Sequence, residues 1–200
     1  LSFGSHLPSL QNNGNGNADI FIAKISSNGT WIWAEGVGGS SDDIGYSVAS
    51  FDDGSSVITG YYDSSSLSFG NLEVNHSTLG GTDIFVARIG SIMPSMAPES
   101  EPSVYPTFIP STLPTSTLIY GIDYAVSIGG NANDYVRSVA SFDDGSSVIT
   151  GYYLSSSLSF GSHLPSLQNN GNGNTDIFIA KISSNGTWIW AEGVGGSSSD

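Results

Sequence analysis

Short runs of β-branched and aromatic residues alternate with smaller or polar ones along most of this chain. Val57, Thr59 and Tyr61 alternate with Ile58, Gly60 and Tyr62, and Ile20, Ile22 and Lys24 alternate with Phe21, Ala23 and Ile25. A repeat of two sends successive side chains to opposite faces of a pleated strand, so these runs predict strands. Asp53-Gly54, Asp144-Gly145, Asn28-Gly29 and Asn185-Gly186 stand between such runs. They predict tight hairpins, because these turns need a positive φ that glycine adopts without steric cost. No apolar stripe at helical spacing persists. The chain is predicted to be all-β.

The pattern also recurs at long range. Leu1–Asp43 reappears as Leu158–Asp200, with only Ala18/Thr175 and Asp42/Ser199 different, and Ser47–Gly70 reappears as Ser138–Gly161, with only Asp63/Leu154 different. Chained together, the matches define a unit that runs from an aromatic strand through SVASFDDGSSVITGYY, LSFG and a Gly/Asn loop to DIFIAKI. Its uninterrupted period is the 66 residues from Tyr124 to Trp190. Four principal strands joined by hairpins fit one blade of a β-propeller, a four-stranded antiparallel sheet, with LSFG as an additional short strand or an ordered loop. Such a sheet cannot bury both faces alone, so blades stack around an axis. The small residues of SVAS suit the crowded centre, and the Trp- and Tyr-rich strands suit the spaces between blades.

The order W-A-E-G-V-G-G, D-D-G-S-S-V-I-T-G-Y, L-S-F-G and D-I-F-[IV]-A-[KR]-I resembles the SBBP-type repeat of the seven-bladed β-propeller family. Trp33, Gly38, Gly39, Asp53, Gly54, Thr59, Gly60, Phe69, Gly70, Asp83, Phe85, Ala87 and Arg88 match its pattern. Asp144, Gly145, Thr150, Gly151, Phe160, Gly161, Asp176, Phe178, Ala180 and Lys181 match it again. Gly-Ser-Ser departs from the family's usual Gly-Asn, and Tyr124 stands where Trp is usual. The resemblance implies a propeller, often on surface or secreted proteins, with no defined catalytic residues.

Pro94, Pro98, Pro102, Pro106, Pro110 and Pro114 fall every fourth residue among Ser, Thr and Glu. Proline fixes φ and lacks a donor, so residues 92–117 are expected to form an extended linker without a sheet of their own. The composition suits an O-glycosylated stalk and resembles spacers of algal secreted or cell-wall proteins. The tract either separates two propellers or is inserted in one blade's hairpin. The first alternative is the expectation, with residues 1–91 ending one propeller and 118–200 beginning another. Because the SVAS and SVIT strands occur twice and the others three times, the ring is expected to be incomplete. Further blades of a parent chain, or an oligomer, would then complete it.

Composition narrows the function classes. Four Lys and Arg against 18 Asp and Glu give a formal charge of −14, a field that repels nucleic acid and anionic membranes. There is no Cys, hence no disulfide framework, thiolate metal site or thiol nucleophile. No apolar run approaches a membrane span.

Candidate chemistry is sparse, and most of it is copied between units, as features of a fold are. The pairs Asp52-Asp53 and Asp143-Asp144 read as hairpin residues rather than acid–base pairs. Lys24, Arg88 and Lys181 share one repeat position and are expected to lie along the sheet with their heads on nearby carboxylates. His6, His76 and His163 read as loop residues. Asn13, Asn15, Asn17 and Asp19 imitate the start of a calcium loop, yet offer one carboxylate and no bidentate Glu. A polar loop is the expectation there, with calcium the weak alternative. Asn28, Asn75 and Asn185 open N-glycosylation sequons. No catalytic motif, cofactor or metal is expected.

The leading functional expectation is a non-enzymatic extracellular or cell-surface propeller for adhesion, scaffolding or protein–protein interaction. The alternative is a multivalent carbohydrate-binding propeller in which aromatics between blades, Trp33, Trp190, Tyr61 and Tyr152 among them, stack on sugars.

Overall fold

A computed structural model of the chain describes residues 1–5, 7–12, 17–77, 80–92, 119–170 and 174–200. The first seven strands are β1 (Ile20–Ile25), β2 (Trp31–Val37), β3 (Asp43–Ser50), β4 (Ser56–Tyr62), β5 (Ser66–Phe69), β6 (Leu72–Asn75) and β7 (Asp83–Ile92). The remainder are β8 (Ile119–Ile128), β9 (Asp134–Ser141), β10 (Ser147–Tyr153), β11 (Ser157–Leu158), β12 (Leu167–Gln168), β13 (Asp176–Ile182) and β14 (Trp188–Val194). Every pairing is antiparallel. β1 and β2 form a first sheet, β3-β4-β7-β8 a central one, and β9-β10-β13-β14 a last one. LSFG belongs to small ribbons, β5-β6 and β11-β12, inserted between the second and third strands of the complete sheets.

The predicted turns form as their chemistry requires. Gly29, Gly54, Gly145 and Gly186 have φ between 78° and 84°. Gly54 N–H donates to Phe51 C=O at 3.0 Å, and Asp53 Oδ1 accepts from Ser55 N–H at 2.8 Å, which closes the turn between β3 and β4. Thr59 and Thr150 each donate a hydroxyl hydrogen across the ladder, to Phe85 C=O at 2.7 Å and Phe178 C=O at 2.8 Å. The glycine after each threonine faces that phenylalanine, Gly60 opposite Phe85 and Gly151 opposite Phe178. A Cβ on Gly60 would lie 1.9 Å from Ile44 O and 2.6 Å from Phe85 Cε1.

The core is divided in two, and each half lies between sheets. One cluster joins Ile20, Ile22, Trp33 and Val37 of the first sheet to Ile58, Tyr62, Phe85, Ala87 and Ile89 of the central one. The other joins Val57, Ile84, Val86, Tyr124 and Ile128 of the central sheet to the last sheet's Val136, Ile149, Tyr153, Phe178, Ala180 and Ile182. β9 lies against β3 and β4, and Ser141 Oγ donates to Ser50 C=O at 2.8 Å. The leading strands, which carry the small SVAS side chains, thus lie close together.

The expected division at residues 91 and 118 meets a different arrangement. β7 and β8 pair along their length, from Ile84↔Ile128 to Ile92↔Ile119, so the strands flanking the Pro tract are neighbours in one sheet. This is the inserted-hairpin alternative, and its physical basis is the ladder itself, whose paired amides hold the two ends of the tract together. The linker prolines lie outside the described residues.

Gly60→Ala is expected to cost about 2–3 kcal/mol through overpacking against a carbonyl and a buried ring. At Gly70, where added bulk meets nothing within 4 Å and only a φ of 62° is strained, Ala is expected to cost about 1 kcal/mol. Parallel urea denaturation of the two variants measures the difference.

Candidate functional site

Sheet junctions bring the charged residues together. Lys24 donates to Gly54 C=O at 2.9 Å, in the central sheet's first hairpin. Arg88 makes the same crossing to Gly145 C=O at 2.9 Å, while its other Nη donates to Asp53 Oδ2 and Ser55 Oγ, both at 2.9 Å. Its guanidinium also lies 4.2 Å from the Phe51 ring centre, a favourable cation–π distance. Lys181 reaches Asp144 of its own sheet at 3.5 Å. The expected carboxylate partners are present for Arg88 and Lys181. The crossing to the next hairpin was not legible, because it depends on how sheets stack.

Carboxylates gather at the opposite rim. Asp43 accepts from Ser64 Oγ at 2.7 Å and Gly39 N–H at 2.8 Å, and Asp134 accepts from Ser155 Oγ at 2.7 Å and Ser155 N–H at 3.2 Å. Asp83 accepts from Ser77 N–H and Oγ. Burial pushes Asp43, Asp83 and Asp134 above the usual carboxylate range, Asp134 to about 6, against the lowering effect of these hydrogen bonds. Asp134 also feels the negative charge of Asp83. The Asp–Ser arrangement is copied from sheet to sheet, which marks it as part of the fold. His76 packs edge-on against Tyr62, with Nδ1 3.8 Å from Asp83 Oδ2. Among the described residues no three His, Cys, Asp or Glu side chains gather as a metal site would require.

The constellation that differs between copies is a tyrosine–arginine cluster. Ile44-Gly45-Tyr46 of β3 becomes Tyr135-Val136-Arg137 in β9, immediately before the copies become identical. Arg137, the one cation outside the shared repeat position, donates to Tyr46 Oη at 2.6 Å and Tyr152 Oη at 2.8 Å. It also lies 5.0 and 4.9 Å from those two ring centres. Tyr61 meets Tyr135 edge-on at 5.0 Å, and Tyr135 lies 5.3 Å from Tyr152. Tyr46 and Arg137 are exposed and the other three rings half-buried, so the cluster offers solvent both ring faces and a guanidinium.

Of the aromatics considered for ligand stacking, Tyr61 and Tyr152 therefore join this cluster. Trp33 is buried between the first and central sheets, and Trp190 is half-buried on the last sheet. Tyr46, Tyr135 and Arg137 were missed by pattern reading. Their signal was available as divergence within an otherwise near-identical repeat. Asn28, Asn75 and Asn185 are all exposed, the first and third at hairpin tips. His163 is exposed. His6, Asn13 and Asn15 lie outside the described residues. Asn17 donates its amide to Ser40 C=O at 3.0 Å, as Asn174 does to Ser197 C=O at 3.2 Å, so both serve loop-to-loop bonding. Asp19 stands against Gly38, where a Cβ would lie 2.2 Å from its Oδ1.

Neither the protein-family models nor the curated proteins contain a match to this chain.

Arg88→Ala is expected to lower stability by about 3 kcal/mol, measured by chemical denaturation, since it leaves buried acceptors unpaired at a sheet junction. Exposure of Asp53 keeps the loss below that of a fully buried pair. Asp134 keeps its proton to about pH 6 in the fold, against 3.8 ordinarily. The folded state therefore binds more protons between those values, and the group's stabilising contribution is complete below 3.8 and lost as pH rises through 6. Asp134→Asn is expected to remove on the order of 3 kcal/mol of that pH dependence, seen in denaturation curves between pH 4 and 6.5.

Proposed function

We propose that the chain is a non-enzymatic binding module of β-propeller type, acting outside the cell or on its surface in adhesion, scaffolding or protein–protein interaction. The propeller reading is supported by the wiring. The last strand of one sheet leads directly into the first strand of the next, β2 into β3 and β8 into β9, and the leading strands of the two complete sheets lie side by side. Its resemblance to SBBP-type repeats points the same way, and the Pro/Ser/Thr tract suits display away from a surface.

The binding role is carried by the cluster of Tyr46, Tyr61, Tyr135, Tyr152 and Arg137. Tyrosine supplies broad contact area with a hydrogen-bonding tip at little entropic cost, arginine supplies a planar fork of donors, and both are enriched at the energetic centres of protein interfaces. No nucleophile with an adjacent base accompanies them among the described residues, and the buried Asp43, Asp83 and Asp134 accept from serine hydroxyls and backbone amides. A second reading, a carbohydrate-binding propeller, is favoured by the same rings. Tyr61 and Tyr152 offer stacking surfaces, and Arg137 offers donors to sugar hydroxyls.

Binding of the chain to arrays of glycans and of extracellular proteins, each repeated with Arg137→Ala and Tyr152→Ala, tests both readings. A protein partner lost about tenfold or more in either variant, with the melting temperature within a few degrees of the parent, is expected for the leading reading. The same loss on glycans alone selects the lectin. A partner bound equally by parent and variants removes the cluster from the site.

A further inference from the structure

The identical strand sequence IFIAKI occurs in β1 and in β13, and it serves as an internal control. In β13, Phe178 and Ile182 are fully buried; in β1 their counterparts Phe21 and Ile25 are 53% and 51% exposed. The neighbouring face behaves inversely, with Ile20 at 4% against 40% for Ile177. The central sheet covers the Phe178 face of β13, and no sheet lies against the matching face of β1 among the described residues; the two strands differ at their edges as well. β13 is flanked by β10 and β14, whereas β1 pairs with β2 and has no ladder on its other edge among the described residues. Beside that edge lies a cavity of about 900 Å³ between β1 and the faces of β3 and β4, with Tyr46, Val48 and Phe51 on its far wall. Val48 is 60% exposed there, while its counterpart Val139 is 8% exposed against the central sheet.

We propose that this groove is a docking site for a β-hairpin of the pattern found at 134–153, supplied by a separate polypeptide segment that adds two strands to β1. The chain's own two hairpins of this kind are committed to complete sheets, which excludes a second folded copy as the donor. Edge-strand addition of this sort draws affinity from main-chain bonds and specificity from alternate side chains. The register follows from the complete sheets. The incoming glycine lies opposite Phe21, as Gly151 does opposite Phe178 and Gly60 opposite Phe85, because bulk there would strike the ring. The incoming threonine lies opposite Ile22, with its hydroxyl on the Phe21 carbonyl. The inference depends on strand pairing and face burial, not on ring closure; of the Tyr–Arg cluster, Tyr46 lines the groove, while Tyr61, Tyr135, Tyr152 and Arg137 do not.

The test titrates the whole chain with a labelled synthetic peptide of residues 134–153. Saturable one-to-one binding is expected, weakened about tenfold or more by Gly151→Val in the peptide or by Phe21→Lys in the chain, with the melting temperature of the variant chain unchanged. Absence of binding, equal binding of the Gly151→Val peptide, or self-association of the chain that protects residues 20–25 from amide exchange overturns the proposal. A second protein carries 134–157 fused ahead of Leu1, so that peptide solubility does not decide the outcome. Slowed exchange in 20–25 is expected there. Unchanged exchange overturns the proposal, and protection in the fusion without binding in trans overturns docking and leaves the hairpin a covalent part of the fold.

Discussion

The first, central and last sheets carry apolar side chains on both faces, and a face is buried where another sheet lies against it. The DIF strand displays the consequence in three environments. In the central β7, Ile84, Phe85, Val86, Ala87 and Ile89 are all buried, because sheets stand on both sides. In β1 one face is covered and in β13 the other. Burial of this kind contributes roughly 25 cal/mol per Å² of apolar surface, and here it belongs to pairs of sheets rather than to any sheet by itself. Stability in such an array is a sum of nearest-neighbour terms.

Polar groups set the spacing of the stack. The cation at the shared position of the DIF strand reaches forward to a carbonyl of the next hairpin, Lys24 to Gly54 and Arg88 to Gly145. At the other rim, carboxylates close against glycines. A Cβ at Gly129 would lie 2.0 Å from Asp83 Oδ1, and one at Gly195 would lie 2.0 Å from Asp176. The first glycine of each Gly-Gly pair that ends an aromatic strand is thus required by the approach of an acid, while Ser64 and Ser155 press on the second glycine and donate to other carboxylates, Asp43 and Asp134. These arrangements recur because every junction poses the same packing problem. The Tyr–Arg cluster does not recur, which is the reason to look for function there.

The strand runs, the Asp-Gly and Asn-Gly hairpins and the all-β class were legible because their causes are local. Period-two alternation sorts side chains to two faces, and a glycine with positive φ closes a turn whatever surrounds it. LSFG was ambiguous, since four residues cannot declare a partner, and it forms one side of a small ribbon. The Pro tract was read as a boundary between two units, and its own residues lie outside the described ones. A run of prolines reports nothing about whether the strands at its two ends meet, and β7 and β8 do. Of the site, Tyr61 and Tyr152 were marked as aromatics, while nothing in the strand pattern singled out Tyr46, Tyr135 and Arg137.

The amino-acid sequence alone therefore determined the repeating unit, its strands and turns, and the acidic, cysteine-free character that excludes whole classes of chemistry. Tertiary structure alone decided which face of each identical strand is covered, which hairpin each cation reaches, and that Tyr46 and Tyr152, distant in the chain, share one guanidinium. The division has a physical origin. Pleat and turn are properties of a few adjacent residues, whereas burial is a property of the strands and sheets around them, and two copies of IFIAKI differ in those.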